Sequence, residues 1–344
     1  MYNDIPLLLS LTFVIGGLVA LAWSSDFFVD GASALAKALG ISPMIIGMVI
    51  IGFGTSAPEL CVSALSGLAG HSNLSLGNAY GSCIFNISMV LGVSVLIFPL
   101  VVRPSVTWVA GGILTMISGF AYLLLEDGEC TRGEAAVLLG VFAVLLPAYC
   151  WFDNKMKGSP DSAKAEKSAG GVEESKSRIW IAAAKTLIGL GVLVGSSHLL
   201  VWGAVDLAKT FGVSDLMIGL TIVAIGTSLP ELASGIASAR RGEHEFVLGN
   251  IIGSNFFNTL AVVGIATVIS PITKANGGFS PYVLSRDLPL MALLSFSLIV
   301  FGLNWRHLKW PGVIRRWEAV IWILIYAGYT VLMFLQERGA VVAG

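Results

Sequence analysis

The sequence predicts an all-α membrane protein of ten transmembrane helices, arranged as two inverted five-helix repeats. Three observations predict it. Apolar runs long enough to cross a bilayer recur along the whole chain, residues 40–92 are echoed in residues 212–264, and five spans separate the two copies. Of the 344 residues, 56% are hydrophobic and 12% charged, with a mean hydropathy of +0.85. A soluble domain carries roughly one-quarter charged residues. The net charge of −1 says little about partners, because in a membrane protein the placement of Lys and Arg matters more than their sum; the lipid bilayer is the expected surrounding, with no nucleic-acid partner. Cys61, Cys83, Cys130 and Cys150 show neither metal nor disulfide spacing and are expected to pack.

Taken in order, the apolar runs fall at 5–37, 43–69, 73–98, 105–125, 133–152, 179–210, 215–240, 245–270, 284–304 and 314–335. Each can span a hydrocarbon core of about 30 Å. The first run lacks the basic flank of a cleavable signal and is expected to stay as a helix. The first and sixth are long for one straight span, which predicts tilting or ends that pass the headgroups. Asp26, Asp30, His198 and Asp206, near such ends, are expected to cap or snorkel.

Between the fifth and sixth spans, residues 153–178 are rich in Lys, Glu, Ser, Gly and Ala and lack apolar periodicity. They read as a flexible linker between a first unit, 1–152, and a second, 179–344. Basic residues concentrate on the linker's side of the ten spans, with Lys37, Arg103, Arg240, Arg241, Arg306, Arg315 and Arg316. The positive-inside rule therefore predicts a plasma-membrane protein with a cytoplasmic linker and both termini outside.

Sliding the chain by 172 positions aligns the two copies without a gap, with roughly two-fifths of positions identical. Gly54, Thr55, Ser56, Pro58 and Glu59 recur as Gly226, Thr227, Ser228, Pro230 and Glu231. Gly77, Asn78, Gly81, Ser82, Phe85 and Asn86 recur as Gly249, Asn250, Gly253, Ser254, Phe257 and Asn258, and Pro99 recurs as Pro271. An odd number of spans per copy makes the second enter the membrane from the opposite side. Inverted repeats with interrupted helices in matching places are the architecture of secondary transporters, whose substrate site lies near the bilayer midplane.

The duplicated stretches carry the chemistry. A charge at membrane depth costs a few kcal/mol on insertion scales, so it marks a functional site unless it is paired. Pro58 and Pro230 cannot donate an amide hydrogen, which predicts a broken helix and bare carbonyls at Gly54 and Gly226. With Thr55, Ser56 and Glu59, and with Thr227, Ser228 and Glu231, these carbonyls make the all-oxygen ligand set of a hard cation such as Ca²⁺ or Na⁺. Asn78, Ser82 and Asn86 are spaced by four, as are Asn250, Ser254 and Asn258, so each set forms one polar stripe. Two carboxylates give a formal charge of about −2, which one Ca²⁺ would neutralise. A lone Gly/Pro kink is ordinarily structural, and a membrane Asn often only joins helices. A carboxylate beside such a kink, at equivalent positions of inverted halves, favours a cation site.

GTSAPE with GNAYGSCIFN, and GTSLPE with GNIIGSNFFN, resemble the two alpha-repeats of the sodium/calcium exchanger family within the calcium/cation antiporters. The resemblance implies Glu59 and Glu231 as shared central ligands, completed by Thr55, Ser56, Thr227 and Ser228. It adds Ser82 and Asn86 from the third helix and Ser254 and Asn258 from the eighth. It further implies that the first and sixth helices slide against the rest of the bundle. Cys83 stands where the second copy has Asn255, a pair expected to pack. Some family members carry Asp at one of the positions held here by Asn86 and Asn258, so this site has one charge fewer than theirs.

The expected function is a Ca²⁺/Na⁺ antiporter working by alternating access, with no catalytic residue and no cofactor. Two carboxylates in one small site also offer a place for protons, so H⁺ coupling, or added K⁺, is the alternative on the same fold. A membrane-embedded metal-dependent enzyme is a further alternative. It lacks a His-Glu-x-x-His motif, and His71, His198, His244 and His307 are scattered.

Overall fold

The computed structural model describes residues 7–68, 72–104, 106–157, 176–211, 224–274, 278–308 and 310–343. In chain order its helices are α1 (Leu7–Leu39), α2 (Pro43–Thr55), α3 (Ala57–Leu68), α4 (Ser75–Ile97), α5 (Val106–Leu124) and α6 (Arg132–Lys157). Then follow α7 (Lys176–Thr210), α8 (Leu229–Arg240, after the single turn Ala224–Thr227), α9 (His244–Ile269), α10 (Val283–Gly302) and α11 (Arg316–Ala343). Among the described residues, eight helices are long and apolar enough to cross a membrane, and α2 with α3, bent by 41°, makes a ninth. The first part of the expected span 215–240 lies outside the described residues, as do the repeat positions Gly212, Ser214 and Gly219 and linker residues 158–175.

Local chemistry sets the breaks. Gly40, at φ 62°, takes the left-handed conformation that ends α1. Ser42 then caps α2 by accepting the amide of Ile45 at 3.2 Å, with Pro43 in the first turn. Pro58 removes the amide that would continue the ladder, and the chain bends where Ser56 takes φ −83°, ψ 3°. Ser228, before Pro230, takes nearly the same angles, φ −95°, ψ 8°.

The two repeats also end their third spans alike. Phe98 (φ −132°, ψ 107°) and Ser270 (φ −136°, ψ 92°) turn to extended backbone just before Pro99 and Pro271. After Pro99, strand β1 (Leu100–Val102) pairs antiparallel with β2 (Gly312–Ile314), Leu100 facing Ile314. After Pro271, Ile272 bridges to Cys130 in the same sense. These short pairings absorb backbone groups that the helices leave unpaired.

α1 and α7, 33 and 35 residues long, are each about 50 Å from end to end. They cross with backbones in contact. A methyl group at Gly17 would lie 2.8 Å from Leu200 Cβ, and one at Gly189 would lie 2.7 Å from the Phe28 Cα. Gly31 meets Thr186 and Gly203 meets Ser10 in the same way. Gly17 with Gly189 and Gly31 with Gly203 keep the offset of the internal repeat, so the crossing is symmetric in sequence. Small residues let the helices approach this closely in lipid.

Asp206, expected to snorkel, is instead buried in this crossing and accepts a hydrogen bond from Ser10. Asp26 and Asp30 are partly exposed and pair with other elements: Asp30 with Lys185 of α7, and both with Arg241 beyond the end of α8. The carboxylates are compensated by cations rather than by water alone.

α4 and α9 form the centre. Of the apolar stretch of α9, 89% is buried, against 22% for α1, whose Leu8, Ile15 and Val19 face outward as lipid-facing residues do. Around α4 and α9 the core gathers Met48, Ile84, Leu91, Phe256, Leu260 and Trp322. α2 lies against α9 at two glycines: a Cβ on Gly249 would sit 2.5 Å from the Met44 carbonyl oxygen, and one on Gly253 2.4 Å from that of Met48. That contact brings the first repeat's broken helix onto the second repeat's polar stripe.

Candidate cation site

The site begins at the two breaks. Bending at Ser56 and Ser228 starts α3 and α8 afresh, with Glu59 and Glu231 in their first turns. Both carboxylates are fully buried. Among the described residues no Lys, Arg or His pairs with either of them.

Hydroxyls from the opposite repeat hold them. Ser228 Oγ donates to Glu59 Oε1 at 3.1 Å, and Ser56 Oγ donates to Glu231 Oε1 at 3.2 Å. Thr55 Oγ1, beside Ser56, lies 2.9 Å from the Ile51 carbonyl and 3.2 Å from Asn250 Oδ1. The breaks thus cross over, each serving the other's carboxylate.

Amides fix the backbone behind each carboxylate. Asn78 Nδ2 donates to the Glu59 carbonyl (3.2 Å) and to Ser63 Oγ (3.0 Å). Asn250 Nδ2 donates to the Glu231 carbonyl (3.4 Å) and to Ser234 Oγ (3.0 Å), while its Oδ1 accepts from Thr55 Oγ1 (3.2 Å). Both residues therefore join the polar stripe to the helix that bears the carboxylate.

One expectation needs correcting. The carbonyl of Gly226 is not bare, because it accepts from Ser197 Oγ of α7 at 2.7 Å, whereas beside Gly54 the Ser56 amide goes to the Gly52 carbonyl at 3.1 Å. Neighbouring hydroxyls and local turns re-satisfy groups freed by proline inside a membrane, and α7 does so here.

The remaining expected residues lie on the two central helices. Ser82 and Asn86 of α4 and Ser254 and Asn258 of α9 are all buried. Ser254 donates to the Gly52 carbonyl (3.3 Å) across the α2–α9 contact. Asn86 and Asn258 stand at the start of wider, π-helical turns, Asn86–Leu91 and Phe257–Val262. Such turns recur at functional positions.

Among the described residues six buried side-chain oxygens have no hydrogen-bond partner: Tyr80 Oη, Asp153 Oδ2 and then Glu59 Oε2, Glu231 Oε2, Asn86 Oδ1 and Asn258 Oδ1. A buried acceptor left unpaired costs about 1–3 kcal/mol, and more when charged. The last four belong to residues singled out by the repeat. Two carboxylate and two amide oxygens suit a hard cation. Among the described residues no cluster of three or more His, Cys, Asp or Glu side chains could hold a metal, so any bound cation must draw on neutral oxygens as well.

Asn255 was not among the expected residues. It is buried in α9 and accepts from Asn86 Nδ2 at 3.1 Å, while its own Nδ2 donates to the Cys83 carbonyl at 3.3 Å. Its signal in the sequence was an amide between Ser254 and Phe256 in an otherwise apolar run. Comparison with Cys83 hid it, because a position that takes a thiol in one copy reads as packing in both.

The family model described as sodium/calcium exchanger protein matches residues 9–150 and 181–335. The chain is 40% identical to the putative antiporter CaxA of Alkalimonas amylolytica, covering 95% of this chain and 99% of that one. It is 35% identical to the inner membrane protein YrbG of Escherichia coli K12, over 92% of this chain and 96% of the other. Among solved structures, the sodium-calcium exchanger NCX_Mj soaked with Na⁺ and Sr²⁺ superimposes with a TM-score of 0.78 at 27% identity, covering 96% of this chain and 99% of that one.

Proposed function

The chain belongs to the sodium/calcium exchanger protein family, and from that premise we propose that it exchanges Ca²⁺ for Na⁺ across the plasma membrane by alternating access at one midplane site. The observation that carries this reading is the set of four buried, unpartnered oxygens on Glu59, Glu231, Asn86 and Asn258. Thr55, Ser56, Thr227, Ser228, Ser82 and Ser254 complete the ligand set. The protein is a transporter and not an enzyme.

Ten spans in two inverted repeats, 1–152 and 179–344, joined by the expected linker 153–178, whose two ends in the structure continue the helices α6 and α7, frame this site. The basic residues place the linker in the cytoplasm and both termini outside. Exchange follows from charge. With both carboxylates ionised and empty, the site carries two negative charges that are costly to move through hydrocarbon, and one Ca²⁺ or competing Na⁺ ions neutralise them wholly or in part. α1 and α7 are the elements that slide.

With amides at 86 and 258 the site has only two carboxylates, which also keeps H⁺ coupling, or added K⁺, as the second reading. Calcium flux in proteoliposomes decides between them. An imposed Na⁺ gradient at clamped voltage drives uptake if Na⁺ couples, whereas uptake driven only by a pH gradient would replace Na⁺ with H⁺, and a requirement for K⁺ would add it.

A further inference from the structure

We infer that Asn255 is a positioning residue that turns the oxygen of Asn86 toward the cation, and that Cys83 leaves Asn258 without the equivalent support. The inference rests on the reading of Asn86 as a ligand. A backbone carbonyl only accepts, so the 3.3 Å contact to the Cys83 carbonyl requires the NH₂ end of Asn255. Its Oδ1 then faces Asn86, which must answer with its own NH₂ at 3.1 Å. Asn86 Oδ1 is left buried and free of any protein donor. Two linked amides thus select which end of Asn86 meets an ion, and a cation accepts only the oxygen end.

The internal repeat makes the second half a control. Asn258 corresponds to Asn86, and Cys83 corresponds to Asn255. The Cys83 thiol lies 3.8 Å from the Asn255 carbonyl, where an amide in its place would donate, but it pairs with Thr259 Oγ1 at 3.5 Å. Asn258 keeps both Nδ2 and Oδ1 without partners. One half of the site is therefore oriented in advance, and the other reorients when the ion arrives.

Groups that orient a metal ligand are typically worth tenfold or more in affinity. In proteoliposomes, Asn255→Cys is expected to raise the Ca²⁺ concentration for half-maximal flux about tenfold, with the maximal rate retained. Asn86→Ala is expected to raise it as well, and Asn255→Cys combined with Asn86→Ala to do no worse than Asn86→Ala alone, since the oriented oxygen is already gone. A purely structural role would make the two effects multiply. Multiplicative losses, or an unchanged half-saturation in Asn255→Cys, overturn the positioning role while Asn86 stands as a ligand. An unchanged half-saturation in Asn86→Ala overturns the ligand reading itself. Should Asn255→Cys fail to fold, Cys83→Asn decides, with Asn255 intact. It should lower the half-saturating Ca²⁺ severalfold by orienting Asn258, the gain disappearing when Asn258→Ala is added, and no gain overturns the inference.

Discussion

Ser228 donates its hydroxyl to Glu59 at 3.1 Å, although 169 residues separate the two in sequence. Ser56 returns the contact to Glu231 at 3.2 Å. Each carboxylate is therefore tuned by the repeat it does not belong to, and neither half holds a complete site. A buried hydrogen bond to a charged group is worth about 1.5–3 kcal/mol. Ser228→Ala and Ser56→Ala are each expected to weaken Ca²⁺ half-saturation by about tenfold or more, measured as ⁴⁵Ca²⁺ uptake against Ca²⁺ concentration. Equal half-saturation in mutant and parent would separate these serines from the ion.

Glu59→Gln and Glu231→Gln keep the side-chain shape but remove one of the site's two carboxylate charges. Each is expected to abolish Na⁺-driven Ca²⁺ uptake while the protein still purifies as a monodisperse peak. Residual uptake at the parent's rate in either variant removes that glutamate from the exchange.

Gly253 sits where a Cβ would approach the Met48 carbonyl oxygen to 2.4 Å, and the obstacle is backbone rather than a movable side chain. Overpacking of this kind costs about 1–3 kcal/mol. Gly253→Ala is expected to lower the melting temperature in detergent. Gly140 has open space around it and serves as the control, since alanine there should melt at or above the parent. Equal melting of Gly253→Ala and the parent would show that α2 and α9 have room to part.

Arg241 joins the end of α8 to α1 through Asp30 Oδ1 (2.9 Å) and the Asp26 carbonyl (3.0 Å). These groups are partly exposed, so the pairing is worth at most about 1 kcal/mol. Arg241→Gln should therefore shift the melting temperature by no more than about 2–4 °C. It should nonetheless change the maximal flux rate, because it removes one of the ties between α1 and the end of α8, leaving Ser33 with Glu243. A melting shift with unchanged flux would reduce Arg241 to a structural tie.

The membrane helices were legible because an apolar run of about 20 residues has few alternatives. The repeat was legible because Glu59 and Glu231, with their prolines, are too costly to recur without use. What could not be read was the crossing over of the site. Ser56 lies three residues from Glu59 and reads as its neighbour, yet the bend before Pro58 directs its hydroxyl to Glu231. The short strands Leu100–Val102 and Gly312–Ile314 carry no alternation long enough to detect. Asp206 looked like an end group because sequence distance from a span's centre says nothing about a partner such as Ser10 on another helix.

The glycine seats between α1 and α7 have a mechanical consequence. Where Gly17 lies against Leu200 and Gly189 against Phe28, backbone rests on backbone, with no long side chain to yield between them. If α1 and α7 slide as proposed, helices seated this closely would move as one part rather than separately. Opening to one compartment and sealing from the other would then be one movement of that part, and a leak through both at once would require it to break.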